Sequence, residues 1–223
     1  MITERANIIR QKRRSIKILI TETGEINIYA PKHITNSDIE KLVGNKESWA
    51  VKKSNKMKEQ YSSNIDIIGY KTVLICGKTY KIEFENVKKI GVFDQVLYVP
   101  DKYKEQSKLV SALKKWYKLL AADILTTRLN FLSKEVNLAY NGLKIGDFRA
   151  KWGSCDSNRE IKLNYKLVML PHKMIDAVIF HELVHTKIMS HSVQFYNKLI
   201  SVMPEYKKYR AELKSYGYLL KMY

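Results

Sequence analysis

The alternation of apolar and polar residues changes character near the middle of the chain. Up to about residue 102, apolar residues occur in short runs separated by turn signals, as in RSIKILI (14–20) and INIYA (26–30). Such runs predict β-strands, and TVLICG, KTYKIEFENV and DQVLYVP continue the series. Between about residues 36 and 60, helical spacing of apolar residues predicts a helix. Residues 1–102 are therefore predicted to form a β-rich N-terminal lobe with one helix.

Beyond this point the pattern is mainly helical. Apolar spacing predicts a long helix over about 105–136, and the strands LKIGDFRA and IKLN flank a predicted loop, WGSCDSNRE. A further helix is predicted from Pro171, a favoured first-turn residue, to about Met189. Two shorter helices follow at roughly 192–202 and 205–215. The sequence thus predicts an α+β fold whose second domain covers residues 103–223.

The charge of the chain is strongly positive. Forty Lys and Arg residues face 22 Asp and Glu residues, giving a formal net charge of +18. The excess is 7 in residues 1–100 and 11 in residues 101–223, so it is not a basic tail. Two dense patches, RQKRRSIK (10–17) and KKSNKMK (52–58), fit either a solubility feature or contact with a polyanion such as nucleic acid.

The apolar runs, the N-terminal segment and the cysteines indicate the cellular compartment of the protein. No run of 18 apolar residues occurs, so no membrane span is predicted. The basic N-terminus lacks the apolar core of a signal peptide. Cys76 and Cys155 lie far apart and form no CxxC pair, which suits a reducing compartment. We therefore expect a cytoplasmic protein, and the sequence leaves its oligomeric state open.

Three of the five histidines lie within eleven residues, HELVHTKIMSH. On a helix, His181 and His185 project from one face about one turn apart, so both imidazoles can reach one metal ion at ~2.0–2.1 Å. Glu182 points roughly 100° around the helix, where its carboxylate can take a proton from a metal-bound water. This HExxH arrangement predicts a zinc site with two histidine ligands and a glutamate general base.

A catalytic zinc usually takes three protein ligands and leaves a fourth position for water. His191 is the candidate third ligand, although on a straight helix it would lie ~9 Å further along the axis and on another face. It can serve only if the helix ends before it and the chain folds back. Glu205 and Glu212 are the alternative third ligands. The other two histidines, His33 and His172, are predicted to be surface residues.

The segment FRAKWGSCDSNREIKLNYKLVMLPHKMIDAVIFHELVHTKIMSHSVQFY resembles the YgjP-like metallopeptidase family. That family's signature combines WGSC, a short strand ending in LN, a proline before the helix, an I-D pair, HELxH and a histidine–serine pair. The resemblance implies a zincin-type hydrolase related to the SprT and WLM proteases, acting on a peptide or protein. It places metal ligation on His181, His185 and His191, and catalysis on Glu182. Ile188 stands where metzincins have glycine, so the turn after the helix is of another kind.

The WGSC segment admits two interpretations. It is either a structural turn around a buried Trp152, or a strand that pairs with substrate, with Gly153 allowing close backbone approach. In the second case Arg149 or Lys151 is placed to stabilise an oxyanion. Cys155 fits a buried thiol better than a nucleophile, because HExxH chemistry needs no thiol.

The leading functional hypothesis is zinc-dependent hydrolysis of peptide bonds by a metallopeptidase. One alternative is a metal-dependent nucleoside triphosphate pyrophosphohydrolase, although the sequence has no Gly-rich phosphate loop and no acidic cluster for magnesium. The other is a nucleic-acid-binding protein with a structural zinc. Structural zinc sites normally close with four ligands and usually include cysteine, which HELVHTKIMSH lacks.

Overall fold

A computed structural model describes residues 1–21, 24–68 and 71–222, with the backbone alone over 59–68. The chain divides into two compact units, Met1–Gly69 and Tyr70–Tyr223, and both helices and sheets are present. This confirms the predicted α+β class. The sheet formed by residues 72–100 belongs to the larger unit. Whether residues 1–102 form a domain of their own stays a prediction. In the part of the chain described, no helix has the length and apolar character to cross a membrane.

The first unit pairs a small sheet with two helices. Its elements are β1 (Ala6–Gln11), β2 (Lys17–Ile20), β3 (Ile26–Pro31), α1 (Asn36–Val43) and α2 (Glu47–Ile68). The central β3 is parallel to β1 and antiparallel to β2. Alternate β3 residues Ile26, Ile28 and Ala30 are buried against Ile39 of α1 and Ala50 of α2. The predicted single helix is thus two helices, and β1 was not predicted.

The second unit begins with a sheet of strand order β4-β5-β7-β6. Its strands are β4 (Thr72–Ile75), β5 (Lys78–Glu85), β6 (Gly91–Phe93) and β7 (Val96–Pro100). Gly77, in the β4–β5 turn, has a φ of +79°, and a Cβ there would lie 2.7 Å from Cγ of Pro171. Its amide donates to Met169 O at 3.1 Å. This glycine therefore docks the sheet against the start of the helix that carries HELVH.

The remaining elements complete the second unit and include that helix. They are α3 (Gln106–Glu135), β8 (Gly142–Gly146), β9 (Gly153–Cys155), β10 (Glu160–Asn164), α4 (His172–His185), α5 (Val193–Val202) and α6 (Tyr206–Leu213). The sheet order is β8-β10-β9, with β10 parallel to β8 and antiparallel to β9. The long α3 confirms the predicted helix to within a residue at each end. The WGSC segment, predicted as a loop, contains β9 because it pairs with β10.

Helix α4 is almost entirely buried beyond its first two residues, and its two acidic residues, Asp176 and Glu182, lie in this buried part. Asp176 is buried and accepts two hydrogen bonds from Arg128 of α3, from Nε at 2.6 Å and Nη2 at 2.8 Å. Such a bidentate pair fixes one helix against the other more firmly than a point contact does. Helix α4 therefore presents its ligand-bearing end from a well-anchored position.

Candidate metal centre

The Nε2 atoms of three histidines form a triangle at the end of α4. They lie 3.2 Å apart for His181 and His185, 3.1 Å for His185 and His191, and 3.0 Å for His191 and His181. Ligand atoms held tetrahedrally around zinc at 2.0–2.1 Å are separated by roughly 3.3 Å, so the triangle fits a single ion. Three lone pairs directed at one point repel one another, and a cation between them removes the repulsion. Among the described residues, this is the one group of three potential ligands close enough to hold a metal.

The three histidines can come together because helix α4 ends before His191. The helix stops at His185, rather than near Met189 as predicted, and the chain turns before His191. Ser192 then starts α5 as its N-cap, and its Oγ accepts from the Phe195 amide at 3.3 Å. The fold-back that His191 requires is therefore present, and it brings together the three histidines that the sequence singled out.

Among the described residues, Nδ1 of His181 and Nδ1 of His185 each lie within hydrogen-bonding distance of an oxygen atom. His181 Nδ1 lies 2.8 Å from the hydroxyl oxygen of Tyr206, and His185 Nδ1 lies 3.0 Å from Ile188 O. An Nδ1–H that donates to either oxygen leaves Nε2 with its lone pair, which is the form that binds a metal. The ring of Phe195 has its centroid 4.5–5.0 Å from all three imidazole centroids and forms an apolar floor.

Burial keeps His181 and His185 neutral. Desolvation, helped by the neighbouring His185 and His191, lowers the pKa of His181 to about 3. Desolvation also lowers the pKa of His185, although the carbonyl of Ile188 opposes the shift. Neutral imidazole is the ligand form, so at neutral pH no proton has to leave either ring before a metal binds.

Glu182 is buried beside this triangle, with 5% of its surface exposed. Desolvation raises its pKa to about 8, and the positive charge of Lys151 opposes the shift. The carboxylate packs directly on the backbone of β9, because a Cβ at Gly153 would lie 2.7 Å from Glu182 Oε1. The sequence interpretation had assigned that close approach to a substrate backbone; the structure gives the space at Gly153 to the glutamate. A raised pKa in a buried carboxyl beside potential metal ligands is typical of a general base.

The segment before β9 is held by the side-chain amide of one buried residue, Asn164. Asn164, fully buried at the end of β10, donates from Nδ2 to Phe148 O at 2.7 Å and to Lys151 O at 3.1 Å. Its Oδ1 accepts from the Lys166 amide at 3.1 Å, and its own amide donates to Trp152 O at 2.8 Å. In the sequence, the feature that could have indicated this role is an asparagine at the end of an apolar strand, a position where a buried polar side chain needs hydrogen-bond partners. Asn164 thus shapes the chain that leads to Gly153.

Other candidates lie outside the triangle. Glu205 is exposed and bonded to Tyr209 at 3.0 Å, and Glu212 is exposed, so neither belongs to the ligand group. His33 and His172 are exposed, as predicted.

Cys155 is partly buried, on β9. Desolvation raises the pKa of its thiol to about 11, and the charge of Glu182 adds to the shift. The thiolate, which is the nucleophile, is therefore scarce at neutral pH. This supports the interpretation of Cys155 as a packed thiol.

Comparison with known families agrees with this geometry. The model of the family described as "YgjP-like, metallopeptidase domain" matches residues 14–216, well over half of the chain. No curated protein and no solved structure matches the chain significantly.

Proposed function

The chain belongs to the YgjP-like metallopeptidase family, and on this premise we propose that it hydrolyses peptide bonds with a zinc ion held by three histidines. The ligands are His181, His185 and His191. The observation that carries the proposal is their Nε2 triangle, with sides of 3.0–3.2 Å, beside the buried carboxyl of Glu182. Three imidazole ligands leave a fourth position for water, as catalytic zinc sites do.

A zinc ion held by these histidines would act as a Lewis acid and would lower the pKa of a water ligand toward ~7. Glu182 accepts the proton of the attacking water and later delivers it to the leaving amine. Its shielded position keeps that proton from bulk solvent between the two steps. Gly153 determines the position of the Glu182 carboxylate, because this carboxylate occupies the space that a Cβ would fill at residue 153.

We propose that β9 binds the substrate. In the described part of the chain it lies at the edge of its sheet, so an extended peptide can add to it as a further strand. Lys151 precedes β9; its Nζ donates to Ser154 Oγ at 3.0 Å and meets no carboxylate among the described residues. Its charge acts on Glu182, whereas that of Arg149 acts on the buried Lys166. Of the two cations considered for the oxyanion, Lys151 is therefore the one we assign.

Elemental analysis tests the ligand set. We expect about one zinc per chain in the wild type and a clear loss in His181→Ala, His185→Ala and His191→Ala. His172→Ala is the matched control, because this exposed histidine lies at the other end of α4 and outside the triangle. Full zinc occupancy in His191→Ala would move the third ligand elsewhere, with Glu205 and Glu212 the next carboxylates to replace.

The cytoplasm is the compartment we propose, supported by the unpaired thiols of Cys76 and Cys155. Free thiols persist in a reducing environment. Cell fractionation that found the protein outside the cytoplasm would reject this assignment.

A further inference from the structure

Tyr206 contacts the candidate metal centre from an element that lies after all three ligands. It is the first residue of α6, 25 positions beyond His181, and only 4% of its surface is exposed. Its hydroxyl oxygen lies 2.8 Å from His181 Nδ1, and its ring is nearly parallel to the imidazole, at 17° and 6.0 Å between centroids. The buried tyrosine thus meets the side of His181 that faces away from the triangle.

We propose that Tyr206 is a positioning residue that selects the metal-binding tautomer of His181 and thereby sets the affinity of the site. The inference rests on the proposed ligation by His181. A neutral imidazole carries one N–H, and a metal at Nε2 requires that hydrogen on Nδ1. The Tyr206 oxygen accepts that hydrogen, so the ring is held in the ligating form and orientation before the ion arrives. Outer partners of this kind typically contribute 10–100-fold to metal affinity.

We assign this role to Tyr206 because the other two histidine ligands, His185 and His191, have different hydrogen-bonding surroundings. His185 donates to Ile188 O, a backbone acceptor in the turn that follows its own helix, which no side-chain substitution removes. The hydroxyl of Tyr196, whose ring lies beside His191, instead accepts from Arg210 Nη1 at 3.0 Å. Burial also raises the pKa of Tyr206 to about 12, which keeps the phenol neutral. Tyr206 therefore gives His181 its acceptor from a side chain, so the contact can be removed by one substitution.

The test is the zinc affinity of Tyr206→Phe, measured by competition with a chromophoric chelator at fixed pH. Phenylalanine keeps the buried ring and removes only the acceptor oxygen. We expect the dissociation constant for zinc to rise by about 10–100-fold, with the circular dichroism of the metal-free protein unchanged. Tyr196→Phe is the matched control, since it removes a nearby hydroxyl that bonds to Arg210, and we expect its affinity to stay within about twofold of wild type.

A double-mutant cycle separates positioning from a general structural effect. If Tyr206 acts through His181, then Tyr206→Phe adds no further loss of zinc affinity in the His181→Ala background. An equal loss in both backgrounds, or wild-type affinity in Tyr206→Phe, would overturn the inference.

The readout is zinc affinity, so it is independent of the reaction catalysed. A weakened Tyr206→Phe site in a protein that cleaves no peptide would support the inference and reject the proposed reaction. A wild type that binds no zinc would reject both.

Discussion

Gly153 and Glu182 lie so close that a Cβ on the glycine would come 2.7 Å from the carboxylate Oε1 and 2.9 Å from Cγ. Real Cβ atoms do not approach other atoms this closely, so the Glu182 side chain can take this position only with glycine at residue 153. The position of the proposed general base is therefore set by an absent side chain on the neighbouring strand.

Gly153→Ala is expected to displace the Glu182 carboxylate and to lower kcat/KM for peptide hydrolysis by about 10²-fold. Misplacement of a catalytic group by ~1 Å has an effect of this size. Zinc content should stay near wild type, because the three atoms nearest to the new methyl group all belong to Glu182 and none to a histidine. Gly91→Ala is the control, since nothing lies within 4 Å of a Cβ there. Undiminished activity in Gly153→Ala would show that the carboxylate tolerates the shift or is not the base.

The raised pKa of Glu182 predicts a pH-dependent stability in the metal-free protein. In the folded state this pKa is about 8, against about 4.3 when unfolded. Between these values the folded state holds a proton that the unfolded state has lost, so the free energy of unfolding falls as pH rises. Glutamine does not titrate, and Glu182→Gln should therefore be more stable than wild type at pH 8, by up to a few kcal/mol.

The measurement is urea unfolding of both chelator-treated proteins at pH 5 and pH 8. The histidines titrate in both proteins and so cancel in the comparison. The advantage of Glu182→Gln should shrink toward pH 5, where the wild-type carboxyl is protonated in the fold. A difference that does not change with pH would mean that Glu182 is ionised and solvated in the folded protein.

The ion pair between Arg128 and Asp176 is expected to contribute to the free energy of unfolding, although it lies outside the metal centre. Asp176→Ala leaves the guanidinium without its bidentate partner between α3 and α4, and we expect a loss of roughly 2–4 kcal/mol. The estimate lies below the fully buried case because the Arg128 side chain is 36% exposed. Asp123→Ala, which removes an exposed carboxylate of α3, should change the free energy of unfolding by less than about 0.5 kcal/mol. Equal urea midpoints for the two variants would contradict this assignment.

The basic patches still fit either a solubility feature or contact with nucleic acid. The structure shows which basic residues are exposed and therefore which substitutions distinguish the two. Arg14, Lys52 and Lys56 are exposed in the unit Met1–Gly69 and form no ion pair with a described residue. If the charge serves nucleic-acid binding, changing all three to glutamate should weaken binding to single- and double-stranded DNA alike. Binding should also fall steeply with salt, with a log–log slope of about −0.9 per duplex phosphate neutralised.

The control reverses three exposed lysines elsewhere, Lys89, Lys173 and Lys207, which changes the net charge equally. Fluorescence titrations at two salt concentrations compare the three proteins. If the protein does not bind near physiological salt, or if both variants bind alike, the charge of +18 is a solubility feature and not a binding site.

Local patterns predicted much of this molecule. The apolar spacing of α3 follows one helix, so its extent could be predicted to within a residue. The histidine cluster was predictable because i, i+4 spacing on a helix fixes two side chains on one face, and because His191 could join them only through a turn. Ser192 and the end of α4 at His185 supply that turn.

The supports of the site were not predictable from local pattern. Tyr206 reaches His181 across 25 residues, and Asn164 reaches Phe148 across 16. Strand β9 is a strand only because β10 lies beside it, and its sequence GSC has no strand propensity of its own. Each of these features depends on tertiary contact, which a single sequence does not display.

Zinc content and peptide cleavage, measured on the same preparations of wild type and Glu182→Gln, test the central claim most directly. We predict about one zinc per chain in both proteins, cleavage of casein by the wild type, and a loss of at least ~10²-fold in Glu182→Gln, because glutamine cannot accept the proton of the attacking water. Equal cleavage by both zinc-loaded proteins would contradict the role of Glu182. A zinc-loaded wild type that hydrolyses nucleoside triphosphates and leaves casein intact would contradict the proposed peptidase.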